Sequence, residues 1–427
     1  MIKVIEGEIV TPEKKFHGQI AFNINSGLIE QLGEQIVPAD KVDQHFEQNH
    51  LIFPGMIDLH VHARQDQSGT QNYKETFSSA ALAAINGGVT CFGDMPNNSV
   101  PPIDLNSYQE KFQLTSDTEM DIFLYAGVTS KSSPLPMVVP YKLYLGGSTN
   151  ISSLDGKSLR EKLIAPYRGM AVSFHCEDGE ILQQSANAKT HSAKRPVAAE
   201  VVAIEEALNL IKSYQLKGTI CHCSTAEGME MIISARKQGV DVKVEVAPSH
   251  LYFNQQDVGD DKTYQMNPPI RDRHDQQSLI KALRQGHVDF LATDHAPHTE
   301  QEKRRGVSGL TGLDTYGPFI CWLIKEHNIT PQRIAQICCA NPGEYLSSFL
   351  PTLKQLQNEC FGRRVEYGNG VGRIEAGYLA NFTILNLSGP VEITRNYLKS
   401  RCAQSPFLGR TLPGGVARVI IRGKIIS

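Results

Sequence analysis

The stretch "IDLHVHARQD", Ile57 to Asp66, sets His60 and His62 two positions apart in an apolar run. Positions two apart in an extended strand share a face. Two imidazoles converging on a buried face either bind a cation or carry a desolvation cost. His175 in "AVSFHCED", His222 in "GTICHCST" and Asp294 in "DFLATDHAPH" close similar apolar runs, and Lys142 lies inside "YKLYLGG". Alone, each has an ordinary reading: a hydrogen-bonded histidine, an ion-paired lysine, a helix-capping aspartate. Together they put four histidines, a lysine and an aspartate at the ends of five separate runs.

Imidazole and carboxylate donors suit a borderline divalent ion such as zinc, with cobalt or manganese as alternatives. His60, His62 and Asp294 can hold one ion, and His175 and His222 a second. Two neighbouring cations need a shared anion, and Lys142 becomes one if it reacts with CO₂ to form a carbamate. A hydroxide bridging the ions would be nucleophilic near neutrality, since a metal can lower the pKa of water to about 7. Asp294 would take its proton and pass it to a leaving nitrogen. Glu245 in "VKVEVAP" and Cys221 beside His222 each carry two readings. They are auxiliary metal ligands or supports for the ligands; otherwise they are a structural ion pair and an inert buried thiol.

The elements that must position these residues alternate. Apolar, β-branched runs occur at "MIDLHVH", "VTCFGDMP" (which runs into Asn97), "DIFLYAGV", "YKLYLGG", "AVSFHCED", "GTICHCST", "VKVEVAP" and "DFLATDHAPH". Between them lie stretches of helical periodicity, such as "KETFSSAALAAINGG", "AAEVVAIEEALNLIKSYQ", "AEGMEMIISARKQG" and "QQSLIKALRQG". Eight strands interleaved with helices predict a (β/α)₈ TIM barrel, whose chemistry gathers at the C-terminal strand ends. One crossover, "TSKSSPLPMVVP", is too proline-rich for a helix. An open doubly wound sheet is disfavoured, because no Gly-rich phosphate loop follows the first strand. Both ends of the chain instead read as short strands between turn signals. The expected division is a small, β-sandwich-like domain from residues 1–53 and 368–427, around a barrel at 54–367.

The bulk composition excludes several classes. A net charge of −3 gives no case for nucleic acid or an anionic membrane surface, and no apolar run is long enough to span a bilayer. "MIKVIEGEIV" reads as a strand, not a signal peptide. The nine scattered cysteines fit reduced thiols in the cytoplasm.

The motifs taken together resemble the amidohydrolase superfamily and, within it, the dihydroorotases, over nearly the whole chain. "FPGMIDLHVHAR" is similar to the family's first metal motif with its substrate arginine, and "GDMPNN" to its Met-Pro-Asn segment. "YKLYL" resembles the carboxylated-lysine strand. "FHCED", "CHCSTAEGMEMI", "EVAPSHLYF", "MNPPIR" and "ATDHAPHTEQEK" follow in family order, and "SPFLGRTLPGGVARVIIRGKII" resembles the closing β segment. The resemblance implies zinc-dependent, reversible cyclisation of N-carbamoyl-L-aspartate to L-dihydroorotate, a step of pyrimidine synthesis. It makes Arg64, Asn97 and His298 contacts to the substrate carboxylate and Asn267 a further substrate contact. A small-molecule substrate, two zinc ions per subunit and a homodimer are what the family implies. Gln65-Asp66-Gln67 after Arg64, Asn98 after Asn97, and Ser249 depart from the family pattern of Glu-Pro-Gly, Thr and His. The competing readings are another cyclic amidase, a hydantoinase or allantoinase, and a catalytically silent scaffold of the same fold.

Overall fold

A computed structural model describes residues 1–146 and 157–426; Gly147, which ends "YKLYLGG", and Ser427, which ends the expected small β domain, lie outside them. The centre is a parallel barrel. Met56–Val61, Val89–Asp94 and Asp121–Leu124 pair in order. Ala126–Gly127, Tyr141–Tyr144, Ala171–His175, Lys217–Ile220, Val242–Val246 and Phe290–Leu291 continue the order. The third strand is therefore broken at Tyr125, its first part pairing backward and its last two residues forward. Closure comes from a parallel bridge between Val61 and His295, where His62 N–H donates to the His295 carbonyl at 2.8 Å. Strands such as Met56–Val61 are buried along their whole length, which explains their near-continuous apolar sequence.

The helices begin and end where local chemistry dictates. Phe77–Asn86 starts at a capping box, with Thr76 accepting from Ser79 N–H and the Ser79 side chain returning to Thr76. It stops at Gly87, where a Cβ would stand 1.8 Å from the Leu313 carbonyl oxygen. Val197–Tyr214, Ala226–Lys237 and Arg273–Arg284 form as their periodicity requires. No helix forms in residues 128–140, which contain Pro134, Pro136 and Pro140. The eighth strand is shorter than its apolar run, because Asp294 leaves extended geometry with φ of 50°.

Both ends of the chain meet in one eight-stranded sheet. Its path runs Lys424–Ile425, Gly415–Ile421, Phe382–Asn386, His50–Pro54, Ile2–Val10, Lys15–Asn23 and Leu28–Gly33, with Gln44–His45 added beside Ile2–Val10. Alternation gives the sheet two buried faces. Ile52, Ile384 and Ile420 join a separate cluster with Ile5, Ile20 and Phe22, while Leu51, Phe53, Leu385 and Val419 join the main core. His50–Pro54 passes through Gly55 directly into the first barrel strand, and a Cβ on Gly55 would lie 2.4 Å from Thr90 Oγ1. Part of the C-terminal segment leaves this sheet. Val391–Glu392 pairs with Thr411–Leu412, and Phe407 packs on Tyr252 and Phe253 with ring centroids 4.8 and 5.1 Å apart. Among the described residues, no helix is long and apolar enough to cross a membrane.

Candidate metal centre

Three candidate residues sit where the chain turns out of a barrel strand with positive φ: Arg64 at 63°, His222 at 34° and Asp294 at 50°. Residues other than glycine rarely adopt this region, and such strain gathers at functional sites. Here the bends aim side chains across the barrel mouth.

His60, His62 and Asp294 converge. Asp294 Oδ1 is 3.3 Å from His60 Nε2 and 3.1 Å from His62 Nε2. The other ring nitrogens fix the tautomers. His62 Nδ1 lies 2.6 Å from Asn97 Oδ1, and His60 Nδ1 lies 2.8 Å from Glu245 Oε1, an oxygen that also accepts from His222 N–H at 3.0 Å. Both Nδ1 atoms face acceptors and so carry the proton, which leaves both Nε2 lone pairs pointing at a carboxylate oxygen. A cation satisfies all three converging lone pairs at once. Burial, followed by the Lys142 charge, pushes His60 down to about 3, and burial with Arg64 pushes His62 well below the usual range. Both rings are thus held neutral, as ligation requires.

A second pair stands beside the first. His175 Nδ1 is 3.0 Å from His222 Nε2, and the His222 ring lies 5.2 Å from that of His60. His222 Nδ1 is buried without a hydrogen bond. His175 Nε2 reaches Glu177 at 2.9 Å, and Arg195 grips the same carboxylate at 2.9 and 2.5 Å. Burial alone would raise the Glu177 carboxyl, but Arg195 and His175 hold it well below its usual range. Lys142 is fully buried and donates to Cys221 Sγ at 2.8 Å, with no carboxylate pairing with it among the described residues. His60, Cys221 and Glu245 form a further group whose ligand atoms lie within 4.8 Å of one another. Burial pushes Glu245 up to about 8 and Cys221 up to about 12. The donor set fits divalent ions: neutral imidazoles, buried carboxylates and a buried amine.

Above these donors, Arg64, Asn97, Tyr144, Asn267, Ser308 and Gly309 line the opening. Arg64 Nε and Asn267 Oδ1 are buried without partners. Arg64 Nη2 lies 3.3 Å from His298 Nε2. His295, between Asp294 and His298 in sequence, faces elsewhere, towards Glu75 at 3.2 Å. A larger cavity of about 670 Å³ opens at the other barrel mouth among Tyr141, Thr219, Lys243 and Phe290, and none of the candidate residues lines it.

All twelve residues singled out in the sequence therefore lie at or just beneath one mouth. Sequence reasoning passed over Glu177, Tyr144 and Lys74. Tyr144 lies two positions from Lys142 within Tyr141–Tyr144, so strand alternation could have found it, whereas Glu177 lies beyond the end of Ala171–His175. Lys74 lies in a loop and carries no such signal.

Comparison with known proteins gives the family. The model of the amidohydrolase family matches residues 51–132. L-hydantoinase (dihydropyrimidinase) from Arthrobacter aurescens superposes with a TM-score of 0.84, covering 100% of this chain and 96% of that one, at 20% identity. A barrel with a β-rich unit and this donor set define an amidohydrolase. The dihydroorotase of Pyrococcus furiosus is 30% identical over 430 residues, covering 99% of this chain and 92% of that protein. That of Halalkalibacterium halodurans is 29% identical, covering 98% and 96%. The chain belongs to the dihydroorotase family, hydrolases acting on cyclic amides.

Proposed function

We propose that the chain interconverts N-carbamoyl-L-aspartate and L-dihydroorotate, a step of pyrimidine synthesis. The observation that carries this reading is a guanidinium, Arg64, buried with an unpartnered Nε directly above the convergence of His60, His62 and Asp294. A planar cation there suits a ligand carboxylate. That feature favours an acidic ring over an uncharged cyclic amide.

His60, His62 and Asp294 would hold one zinc ion and His175 and His222 a second, with a carbamate on Lys142 between them; Cys221 and Glu245 are auxiliary ligands or supports. Bound there, the ions supply Lewis acidity toward the ring carbonyl and toward water. Arg64, Asn97 and His298 grip the carboxylate, and Asn267 contacts the ring. Asp294 takes a proton from the attacking water and delivers it to the ring nitrogen as the amide C–N bond breaks; in cyclisation the same proton returns. Residues 54–367 act as the catalytic unit, and 1–53 with 368–427 as the small β unit braced against it. A homodimer in the cytoplasm, with neither nucleic acid nor membrane as partner, completes the reading.

The test is a substrate comparison with zinc-loaded protein. Opening of dihydroorotate, with hydantoin and allantoin slower by at least about a hundredfold, supports the reading, since losing a charged hydrogen-bonded partner costs about 1.5–3 kcal/mol per contact. Opening of hydantoin or allantoin but not dihydroorotate overturns it.

A further inference from the structure

His298 lies between two cations, and both of its ring nitrogens are approached by groups that can only donate. Arg64 Nη2 stands 3.3 Å from Nε2, and Lys74 Nζ stands 3.2 Å from Nδ1. A neutral imidazole has one acceptor nitrogen, while ammonium and guanidinium have none. One of the two contacts must therefore set an N–H against another donor.

The surroundings decide which. Lys74 is almost fully buried and is held in place: its Nζ pairs with Glu302 Oε1 at 2.9 Å, and its carbonyl accepts from Cys402 Sγ at 3.1 Å. Among the described residues, the only carboxylate oxygen near Nδ1 is Glu302 Oε2, at 3.7 Å. That oxygen is committed elsewhere, accepting from Thr299 N–H at 2.9 Å and from Thr299 Oγ1 at 3.1 Å. Nδ1 is thus left to accept from Lys74, and the proton belongs on Nε2. Gly309 packs beside the ring, where an added Cβ would stand 2.9 Å from His298 Cδ2, and His298 is itself buried. Nε2–H then faces the Arg64 guanidinium, a group that cannot accept, and among the described residues no protein acceptor pairs with it. A carboxylate oxygen is the group that accepts from both.

We propose that Lys74 is a positioning residue that fixes His298 in its Nε2–H tautomer, making His298 and Arg64 a two-donor clamp for a ligand carboxylate. This rests on the reading of Arg64 and His298 as the carboxylate grip. In that arrangement His298 binds as a neutral donor, and Lys74 itself never touches the ligand.

The experiment uses the zinc-loaded, full-length protein with ¹⁵N-labelled histidine. His298 is identified from the signal lost in His298→Gln. The wild-type spectrum should show a protonated Nε2 and a bare Nδ1 at His298, and Lys74→Met should shift that signature toward the other tautomer. In the same variant KM for dihydroorotate should rise about tenfold while kcat changes less than about threefold. A protonated Nδ1 in wild-type protein, an unaltered signature in Lys74→Met, or an unaltered KM each overturns the proposal. Should Lys74→Met fail to fold, the wild-type spectrum alone decides. Absence of any dihydroorotate turnover by wild-type protein would sink the substrate reading instead, and the tautomer signature needs no substrate.

Discussion

At the scale of single side chains, the proposed roles predict separable effects of substitution. Asp294→Asn keeps the shape but removes the carboxylate that both His60 and His62 face at about hydrogen-bond distance. Turnover should fall by roughly 10³-fold or more, as for loss of a general acid–base, with circular dichroism and Tm close to wild type; turnover like wild type would remove Asp294 from the proton path. Arg64→Met should raise KM about 10- to 100-fold with a smaller change in kcat, because a charged hydrogen-bonded partner is worth about 1.5–3 kcal/mol. The histidines were legible because alternation in "LHVH" forces two rings onto one face. Lys74 and Glu177 were not, because their partners, His298 and Arg195, are brought to them only by the fold.

Elements were legible where one period dominated. The helices at Phe77–Asn86 and Val197–Tyr214 follow their apolar spacing, and the proline-rich crossover stays without a helix. The break at Tyr125 and the shortness of the eighth strand were not legible, since both are set by neighbouring strands and by the bend at Asp294. Gly87 shows how closely these elements meet. Its missing Cβ admits the Leu313 carbonyl, and the Gly312 and Leu313 N–H groups donate to His295 Nδ1 at 3.2 and 3.3 Å. Gly87→Ala should therefore destabilise the fold by about 3 kcal/mol, the upper range for overpacking, read as a fall in Tm. An unchanged Tm would mean that the Leu313 segment yields freely.

At the scale of the whole molecule, the terminal sheet is built against the barrel and continuous with its first strand, so the strand that carries His60 begins one residue after a sheet strand ends. The sequence announced two β-rich ends, but the sheet's double burial emerges only when Ile52 and its neighbours Leu51 and Phe53 are seen on opposite faces. The buried donors also give the metal-free protein a defined acid sensitivity. His60 has an ordinary pKa of 6.5 and is held at about 3 in the fold. As pH falls below 6.5 the unfolded chain takes up a proton that the native state refuses. This contribution to stability is therefore full above 6.5 and is lost progressively as pH falls toward about 3. Chelated protein should show Tm falling across that window, and His60→Gln should flatten the fall; an equal slope in the variant would show that His60 is not the group responsible.

The central claim is that converging donors at one barrel mouth hold two divalent ions. Anomalous diffraction at the zinc edge, from crystals grown with zinc and bicarbonate, tests it most directly. The prediction is two peaks, one among His60, His62 and Asp294 and one between His175 and His222, with density from Lys142 joining them. A mouth without either peak at saturating zinc would contradict it.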